Sequence, residues 1–257
     1  MPPIALLTDF GTQDAYVGVM KGVIAAIAPQ VTCIDLTHAV PPQDIRAAQF
    51  HLLTAYPYFP SGTIFLVVVD PGVGSDRRAV AVQFPQCVVV CPDNGLLTAL
   101  LGRHPEEAVE AVELTNPAYW RAPAPSLTFH GRDIFAPVAA HIASGEPLVR
   151  LGQPISPASL VQRPDLRLPQ QATSGVIQHV DRFGNLISTI SAAAAKPGQV
   201  VQMGDRRISI GKTYSSAAPG ALIALIGSHG WVEVAANGAR ASDVLQVEVG
   251  QPISLEA

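Results

Sequence analysis

The sequence predicts an α/β fold in which a mostly parallel sheet with flanking helices is followed by an antiparallel, barrel-like β domain. Through the first half of the chain, short apolar β-branched runs alternate with stretches whose apolar residues recur every three or four positions. That alternation is typical of parallel strands joined by helices. After residues 150–172, which are rich in Pro, Gln and Ser and read as a connecting segment, short alternating runs are separated by glycine-containing turns. This second pattern is typical of a small antiparallel barrel.

The N-terminal elements follow from this periodicity in chain order. Strands are predicted where apolar residues run together, and helices where the apolar positions fall on one helical face. The predicted strands are 4–8, 31–36, 63–69, 79–82 and 88–91, and the predicted helices are 14–28, 44–55, 96–101 and 136–144. Pro29 ends the first of these helices, because proline cannot continue one.

The C-terminal strands are predicted from two-residue alternation between turns. They cover 174–180, 186–190, 200–203, 207–210, 222–226, 231–234 and 245–249. We therefore predict an α/β domain at 1–160, a β domain at 172–257 and a linker at 161–171.

Composition restricts the function classes. Hydrophobic residues are 48% of the 257 residues and charged residues 14%, which indicates a large core. The net charge of −4, without a run of more than two basic residues, argues against nucleic acid as a partner. The 3 cysteines form no Cys-x-x-Cys pair, which suits a reduced chain. With no signal-like N-terminus and no membrane-length apolar run, we expect a soluble, cytoplasmic protein.

Carboxylates follow three of the predicted strands, directly at Asp9 and Asp70 and after one proline at Asp93. Because the carboxyl ends of parallel strands meet at one edge of a sheet, we expect these side chains to converge on a site. After Asp70, a Pro-Gly turn leads to Arg77 and Arg78, which brings a cation close to the carboxylate. A single aspartate of this kind is also an ordinary turn former.

Two other segments and one acidic residue have groups suited to chemistry or binding. Residues 128–133 include His130 near Arg and Asp, and a histidine beside a carboxylate is a common general base. Residues 181–185 supply an aromatic ring and polar side chains for a flat ligand such as a purine, or simply a hairpin loop. Asp14 precedes the apolar positions of the first helix and either caps that helix or binds a ligand.

Several familiar motifs are absent from the sequence. Residues 72–77 lack the third glycine of a dinucleotide fingerprint, and Arg206 stands where a phosphate loop ending at Gly211-Lys212-Thr213 requires glycine. Neither Gly-x-Ser-x-Gly nor His-Glu-x-x-His occurs. The 7 histidines show no compact metal-ligand spacing, so we expect no metal.

Six ordered segments together give the chain a family resemblance. They are Thr-Asp-Phe-Gly at 8–11, Asp-Pro-Gly-Val-Gly at 70–74, Pro-Asp-Asn-Gly at 92–95, Phe-His-Gly-Arg-Asp at 129–133, Asp-Arg-Phe-Gly-Asn at 181–185 and Gly-Ser-His-Gly-Trp at 227–231. In these segments the chain resembles the S-adenosyl-L-methionine (SAM) hydroxide adenosyltransferases, the adenosine-forming SAM hydrolases related to SAM-dependent fluorinase and chlorinase.

The resemblance implies a homotrimer with sites between subunits, and it implies roles for individual residues. The implied catalytic residues are Asp70, Arg77 and His130, with Arg78 as the alternative arginine. The implied substrate-binding residues are Asp9 at the ribose hydroxyls, Asp14 at the methionine amino group and Ser228 near methionine. Phe183 and Asn185 are implied to flank adenine or methionine, with Asp181 nearby, and Phe129 is a further implied substrate-binding residue. The halogenases have Arg where this chain has His229.

The implied reaction is attack of water on the ribose C5′ of SAM, which gives adenosine and L-methionine. Because a neutral thioether leaves, the reaction requires neither a general acid nor a cofactor. Arg77 would stabilise hydroxide, while Asp70 and His130 orient the water or take its proton. An aspartate at position 70 disfavours a halide nucleophile, since like charges repel in a dry pocket.

Two alternatives of other classes stay open. One is a metal-dependent phosphoesterase that uses Asp9, Asp70, Asp93 and His130. The other is a non-catalytic adenosine or SAM sensor. In every case the expected partner is a small molecule, with neither nucleic acid nor membrane involved.

Overall fold

The first unit of the fold, Met1–Arg167, is built on a mixed sheet in a computed structural model that describes residues 1–104, 108–196 and 198–256. Its strands, as far as the described residues go, are β1 Ile4–Thr8, β2 Cys33–Thr37, β3 Thr63–Val68, β4 Ala79–Gln83, β5 Cys87–Pro92, β6 Glu110–Glu113 and β7 Gln153–Ile155. They lie in the order β2-β1-β3-β5-β4-β6-β7. The first four of that order are parallel, while β4, β6 and β7 pair antiparallel with their neighbours. The carboxyl ends of β1, β3 and β5 therefore share one edge.

Helices cover this sheet. They are α1 Tyr16–Ile27, α2 Ile45–Ala55, α3 Thr98–Leu101 and α4 Ala136–Ala143, and a π-helical turn at Gly131–Phe135 runs directly into α4. Helices α1 and α4 pack on each other, and α4 contacts β1 and β3. Asp44 caps α2 by accepting from the Ala47 backbone N–H at 2.9 Å, as expected of an aspartate at this position. The helical connections and the buried strands give the α/β layering that the apolar periodicity predicts.

The second unit, residues 168–257, is an antiparallel barrel-like sheet. Its described strands are β8 Ser174–Val180, β9 Leu186–Ser191, β10 Val200–Met203, β11 Arg206–Ser209, β12 Leu222–Ile226, β13 Trp231–Ala236 and β14 Pro252–Glu256, with helix α5 Ala241–Leu245 before β14. The strand order is β11-β10-β14-β8-β9-β13-β12. A bridge between Ile210 and Ala224 joins the two outer strands, which nearly closes the sheet. The predicted fold class is confirmed in both units.

Several details differ from the sequence-based prediction. Residues 245–249 are not a strand, because Gln246 adopts a left-handed conformation (φ 52°) that ends α5, and the last strand begins only at Pro252. The segment 150–172, predicted as connecting chain, contains β7, and β6 was not predicted at all. The chain divides between Arg167 and Leu168, inside the stretch expected to be the linker. None of the described helices is long and apolar enough to cross a membrane.

Candidate active site

Three side chains from separate parts of the first unit meet where β3 ends. Arg77 Nε donates to Asp70 Oδ1 at 2.9 Å, and its Nη2 donates both to Asp70 Oδ2 and, at 2.7 Å, to Nδ1 of His130. The Asp70 and Arg77 side chains are only 6% and 9% exposed. The Arg77 Cζ also lies over the Phe135 ring, 5.3 Å from its centre. The structure thus brings together the three residues for which the family resemblance implies catalytic roles, and the Arg77 guanidinium contacts both of the others.

The local sequence explains why these groups meet. Asp70 lies just after strand β3. The turn at 71–76 then reverses the direction of the chain, so that the Arg77 side chain lies against the Asp70 carboxylate. The turn packs against residue 127 at Gly74, where φ is +79° and an added Cβ would lie 2.5 Å from the Leu127 carbonyl oxygen. Only glycine permits this approach, which brings the turn next to the segment that supplies His130.

The contact with Arg77 defines the state of His130. Arginine can only donate, so Nδ1 of His130 accepts and the ring proton of the neutral form is on Nε2. Burial, and then the positive charge of Arg77, lower the pKa of His130. The imidazole is therefore neutral near pH 7 and can donate from Nε2.

Asp133 stabilises the segment that supplies His130. Its buried carboxylate accepts from Arg121 Nε at 2.6 Å, from Arg132 Nε and Nη2 at 2.7 Å each, and from the Ser126 backbone N–H at 2.8 Å. The Arg132 guanidinium, helped by Arg121, holds the pKa of Asp133 far below its ordinary value. These bonds join the start and the end of the 121–133 segment.

Phe129 belongs to a small aromatic cluster at this segment. Its ring centre lies 5.7 Å from that of Phe10 and 5.2 Å from that of Tyr16, and the Arg132 guanidinium lies 5.3 Å from it. Edge-to-face contacts of this kind favour a fixed ring orientation. Phe129 therefore presents a rigid apolar surface beside His130.

Asp9 shares a cavity with the catalytic candidates. This cavity, of about 220 Å³, is lined by residues from four segments: Asp9, Phe10, Pro42, Gln43, Val68, Asp70, Val73, Thr128, Phe129, His130 and Gly131. Asp9 Oδ2 accepts from the Gln43 backbone N–H at 2.7 Å, which leaves Oδ1 for a ligand. Gln43 was not expected at the site, although the preceding Pro41-Pro42 pair signals a turn.

The sequence predicts that Asp9, Asp70 and Asp93 converge on one site, and this prediction is wrong for Asp93. Its Oδ2 accepts from Arg78 Nε at 2.9 Å and Nη2 at 2.6 Å, while Oδ1 accepts from the Val161 backbone N–H at 2.8 Å. Asp93 is absent from the lining of the cavity that holds Asp9 and Asp70. The reason is β4, which pairs antiparallel with β5 and brings Arg78 against Asp93. Arg78 therefore has a structural partner of its own, and Arg77 is the arginine beside Asp70.

Asp14 is exposed and precedes α1, whose N-cap is Ala15 without a side-chain cap. The alternative that Asp14 caps this helix is therefore wrong.

In the second unit, Asp181 and Asn185 shape the β8–β9 hairpin. Asp181 Oδ1 accepts from the backbone N–H groups of Phe183 and Asn185 at 2.9 Å, and its Oδ2 accepts from Asn185 Nδ2 at 2.9 Å. Asp181 thus orders the loop, while the Phe183 side chain is 75% exposed. Phe183 and Asn185 line a cavity of about 570 Å³ together with Arg182, Tyr214, Ala236, Gly238, Ala239 and Arg240.

Tyr214, which lines this second cavity, belongs to a hydrogen-bond network around the buried Glu233. Glu233, inside β13, accepts from the Tyr214 hydroxyl at 2.9 Å and from His229 Nε2 at 3.1 Å. Burial, and then the bond to Glu233, raise the pKa of Tyr214 to about 12. Ser228 is exposed in the turn between β12 and β13, next to His229. Sequence reasoning missed Tyr214 and Glu233, although a carboxylate in an otherwise apolar strand was a signal.

The described residues contain no group of three or more His, Cys, Asp or Glu side chains arranged to hold a metal ion.

Comparison with known proteins identifies the family. Profiles described as the SAM hydroxide adenosyltransferase N-terminal and C-terminal domains match residues 4–152 and 175–254. A Thermus thermophilus protein named (R)-S-adenosyl-L-methionine hydrolase is 42% identical, covering 99% of this chain and 100% of that protein. A fluorinase from an Actinoplanes species is 31% identical over 74% of this chain and 72% of its own length.

A solved structure agrees with these sequence matches. The crystal structure of an uncharacterized conserved protein from Thermotoga maritima superposes with a TM-score of 0.90 at 37% identity, covering 99% of this chain and 100% of that one. With both domain profiles matched in order over most of its length, the chain belongs to the SAM hydroxide adenosyltransferase family.

Proposed function

We propose that this protein hydrolyses SAM to adenosine and L-methionine by attack of water on the ribose C5′. The observation that supports this most directly is the Asp70–Arg77–His130 cluster, which borders a cavity that also contains Asp9. The names of the full-length relatives support the same reaction, and they specify the (R) epimer at sulfur. SAM is itself an activated electrophile, so the protein has to supply an oriented, deprotonated water.

Each member of the cluster has a distinct part in this proposal. Asp70 takes the proton of the attacking water on its carboxylate, because the Nδ1 lone pair of His130 already accepts from Arg77. His130 donates from Nε2 to the water oxygen and so orients a lone pair toward C5′, since its Nδ1 is already occupied by Arg77. The Nη1 donors of Arg77, which neither partner uses, stabilise the developing hydroxide. Breaking the C5′–S bond releases methionine as a neutral thioether.

The proposal assigns the other candidate residues to substrate binding. Asp9 accepts from the ribose hydroxyls, and Phe129 packs against the nucleoside. Asp14 binds the methionine amino group. In the second unit, Phe183 stacks on adenine and Asn185 hydrogen-bonds its edge, with Asp181 fixing both, and Ser228 binds methionine.

We further propose a homotrimer in which a neighbouring subunit completes each site. Exposed apolar side chains at and beside the Asp9 cavity support this. Val73 lines the cavity and is 36% exposed, Tyr16 packs on the lining residues Phe10 and Phe129 and is 49% exposed, and Leu127, directly before the lining residue Thr128, is 70% exposed. Apolar side chains grouped around a polar cavity are typical of a surface that another chain covers. Sedimentation should give a trimer, and a stable, active monomer would contradict this part of the proposal.

The three cysteines, all free, support a reducing compartment such as the cytoplasm. We also propose that catalysis needs no metal or other cofactor.

One experiment tests the reaction itself. Purified protein is incubated with each sulfonium epimer of SAM, with and without a chelator, and the products are separated by chromatography. The expected result is adenosine and L-methionine in equal amounts from the (R) epimer, unaffected by the chelator. Loss of activity with the chelator would favour the phosphoesterase-like alternative, and binding without product would favour a sensor.

A further inference from the structure

The loop that covers Asp9 contains a residue in an unfavourable backbone conformation. The Asp44 backbone N–H donates to the Pro41 carbonyl at 3.0 Å, which closes a β-turn over residues 41–44. Gln43, the third residue of this turn, has φ +67°. With proline second and a positive φ third, the turn is of type II, whose third position favours glycine. Gln43 is therefore strained where a glycine would not be.

The strained residue is also the one that contacts Asp9. Its backbone N–H donates to Asp9 Oδ2 at 2.7 Å, and the turn is anchored on its other side by Asp44, the cap of α2. A glycine at position 43 would form the same turn and the same bond at lower cost. The turn alone therefore does not explain a glutamine, and strain of this kind is often kept at binding sites.

The side chain of Gln43 is positioned to act on whatever Asp9 binds. Gln43 is exposed and lines the cavity with Asp9, Asp70 and His130. Within the described part of the chain, the structure gives its amide group no hydrogen bond. A neutral amide can both donate to and accept from a hydroxyl, whereas Asp9 can only accept. The two side chains therefore suit a pair of neighbouring hydroxyl groups.

We propose that Gln43 is a specificity-determining residue whose side-chain amide hydrogen-bonds a ribose hydroxyl beside Asp9, while its backbone N–H fixes the Asp9 carboxylate. This inference rests on the proposed SAM hydrolysis. It gives the strained turn a function, because the conformation that aims the N–H at Asp9 also directs the amide to the same ligand.

The test compares Gln43→Gly with Gln246→Gly. Both residues are exposed glutamines with positive φ, at +67° and +52°, but Gln246 follows α5 in the second unit. Each glycine relieves a left-handed residue, so Gln43→Gly should raise Tm by about 2 °C. Gln246→Gly should raise it by less, because it also removes the bond from Gln246 Nε2 to the Asp243 carbonyl. Gln43→Gly should also raise KM for SAM roughly three- to tenfold with kcat little changed, as expected for the loss of one hydrogen bond. Gln246→Gly should leave KM unchanged.

A second readout reports on the ribose directly. Adenosine, 2′-deoxyadenosine and 3′-deoxyadenosine are titrated calorimetrically into wild type and Gln43→Gly. The variant should lose roughly three- to tenfold in adenosine affinity and discriminate less against one of the two deoxynucleosides. If Gln43→Gly has the wild-type KM for SAM and discriminates between adenosine and the deoxynucleosides as the wild type does, the proposal is overturned and Gln43 is only a turn residue. If the wild type binds adenosine but does not hydrolyse SAM, the proposed function fails, and the nucleoside titrations still decide the role of Gln43.

Discussion

Replacing Asp70 by Asn should separate the chemistry of the site from its stability. The variant keeps the shape of the side chain, but it removes the charge and puts an NH2 group against one of the two Arg77 donors. Both side chains are at least nine-tenths buried, so Arg77 is left without its counter-ion. Loss of a charged hydrogen bond costs about 1.5–3 kcal/mol, and breaking a fully buried pair from one side costs about 3–5 kcal/mol. We expect the free energy of unfolding to fall by about 3 kcal/mol.

The effect on turnover should be larger than a purely structural defect explains. Removing a general base lowers rates by about 10²–10⁴-fold, which corresponds to about 2.7–5.4 kcal/mol in the barrier. Adenosine binding should remain measurable, because in the proposed mechanism Asp70 acts on the water and not on the nucleoside.

Asp93→Asn is the matched control. Asp93 also follows a strand and pairs with an arginine, with side-chain exposures of 5% for Asp93 and 26% for Arg78, but it lies outside the cavity lining. It should lower the free energy of unfolding by about 1.5–3 kcal/mol while kcat stays within about threefold of wild type. Urea denaturation and saturating SAM turnover, measured on the same preparations, give both quantities. An equal loss of kcat in the two variants, or wild-type kcat in Asp70→Asn, would refute the reasoning.

Three more predictions follow from the geometry. Burial and the charge of Arg77 lower the pKa of His130 from its ordinary value of 6.5. The acid limb of the kcat/KM profile should therefore have its inflection below pH 6.5, and an inflection above pH 6.5 would contradict this. Wild type should bind 2′-deoxyadenosine more weakly than adenosine by roughly 1–3 kcal/mol, and the gap should shrink in Asp9→Ala; equal calorimetric affinities would remove Asp9 from the site. Asp133→Asn should lower the free energy of unfolding by about 1.5–3 kcal/mol at neutral pH. Because the native pKa of Asp133 is lowered, its contribution exists above the unfolded value of 3.8 and is lost as pH falls, so variant and wild type should converge in acid denaturation curves.

The parts of the fold that depend on local periodicity could be predicted from the sequence. Strand β1 begins and ends where the apolar run places it, and the barrel strands β8, β10 and β12 begin and end where alternation of apolar residues places them. The final strand could not be located this way, because apolar residues 245–249 fit a strand and the left-handed Gln246 is not visible in the pattern. Strand β6 was missed for a related reason, since a short strand beside β4 has too few residues for a clear period.

In the candidate site, too, some contacts could be predicted from the local sequence and others could not. Asp70 and Arg77 are seven residues apart across a turn, so their pairing follows from the local sequence. The addition of His130 to the pair depends on tertiary packing, and only the family resemblance indicated it. Asp93 was wrongly predicted to join the site. The prediction assumed a purely parallel sheet, whereas β4 pairs antiparallel with β5. Gln43 and Glu233 had sequence signals, a Pro-Pro turn and a carboxylate in an apolar strand, but their positions in the cavity and the network depend on backbone conformation and burial.

The parallel pairing of β1 with β3 also has a consequence for folding kinetics. The cavity collects Asp9, Asp70 and His130 from positions separated by up to about half of the chain. Contacts between such distant positions form slowly, because a long loop must close before they gain any stability. The helices of the first unit can form early from local contacts, whereas the cluster requires β1, β3 and the segment leading into α4 to be in place together. Catalytic competence is therefore among the last properties that the refolding chain acquires, and recovery of activity should lag behind recovery of helical signal.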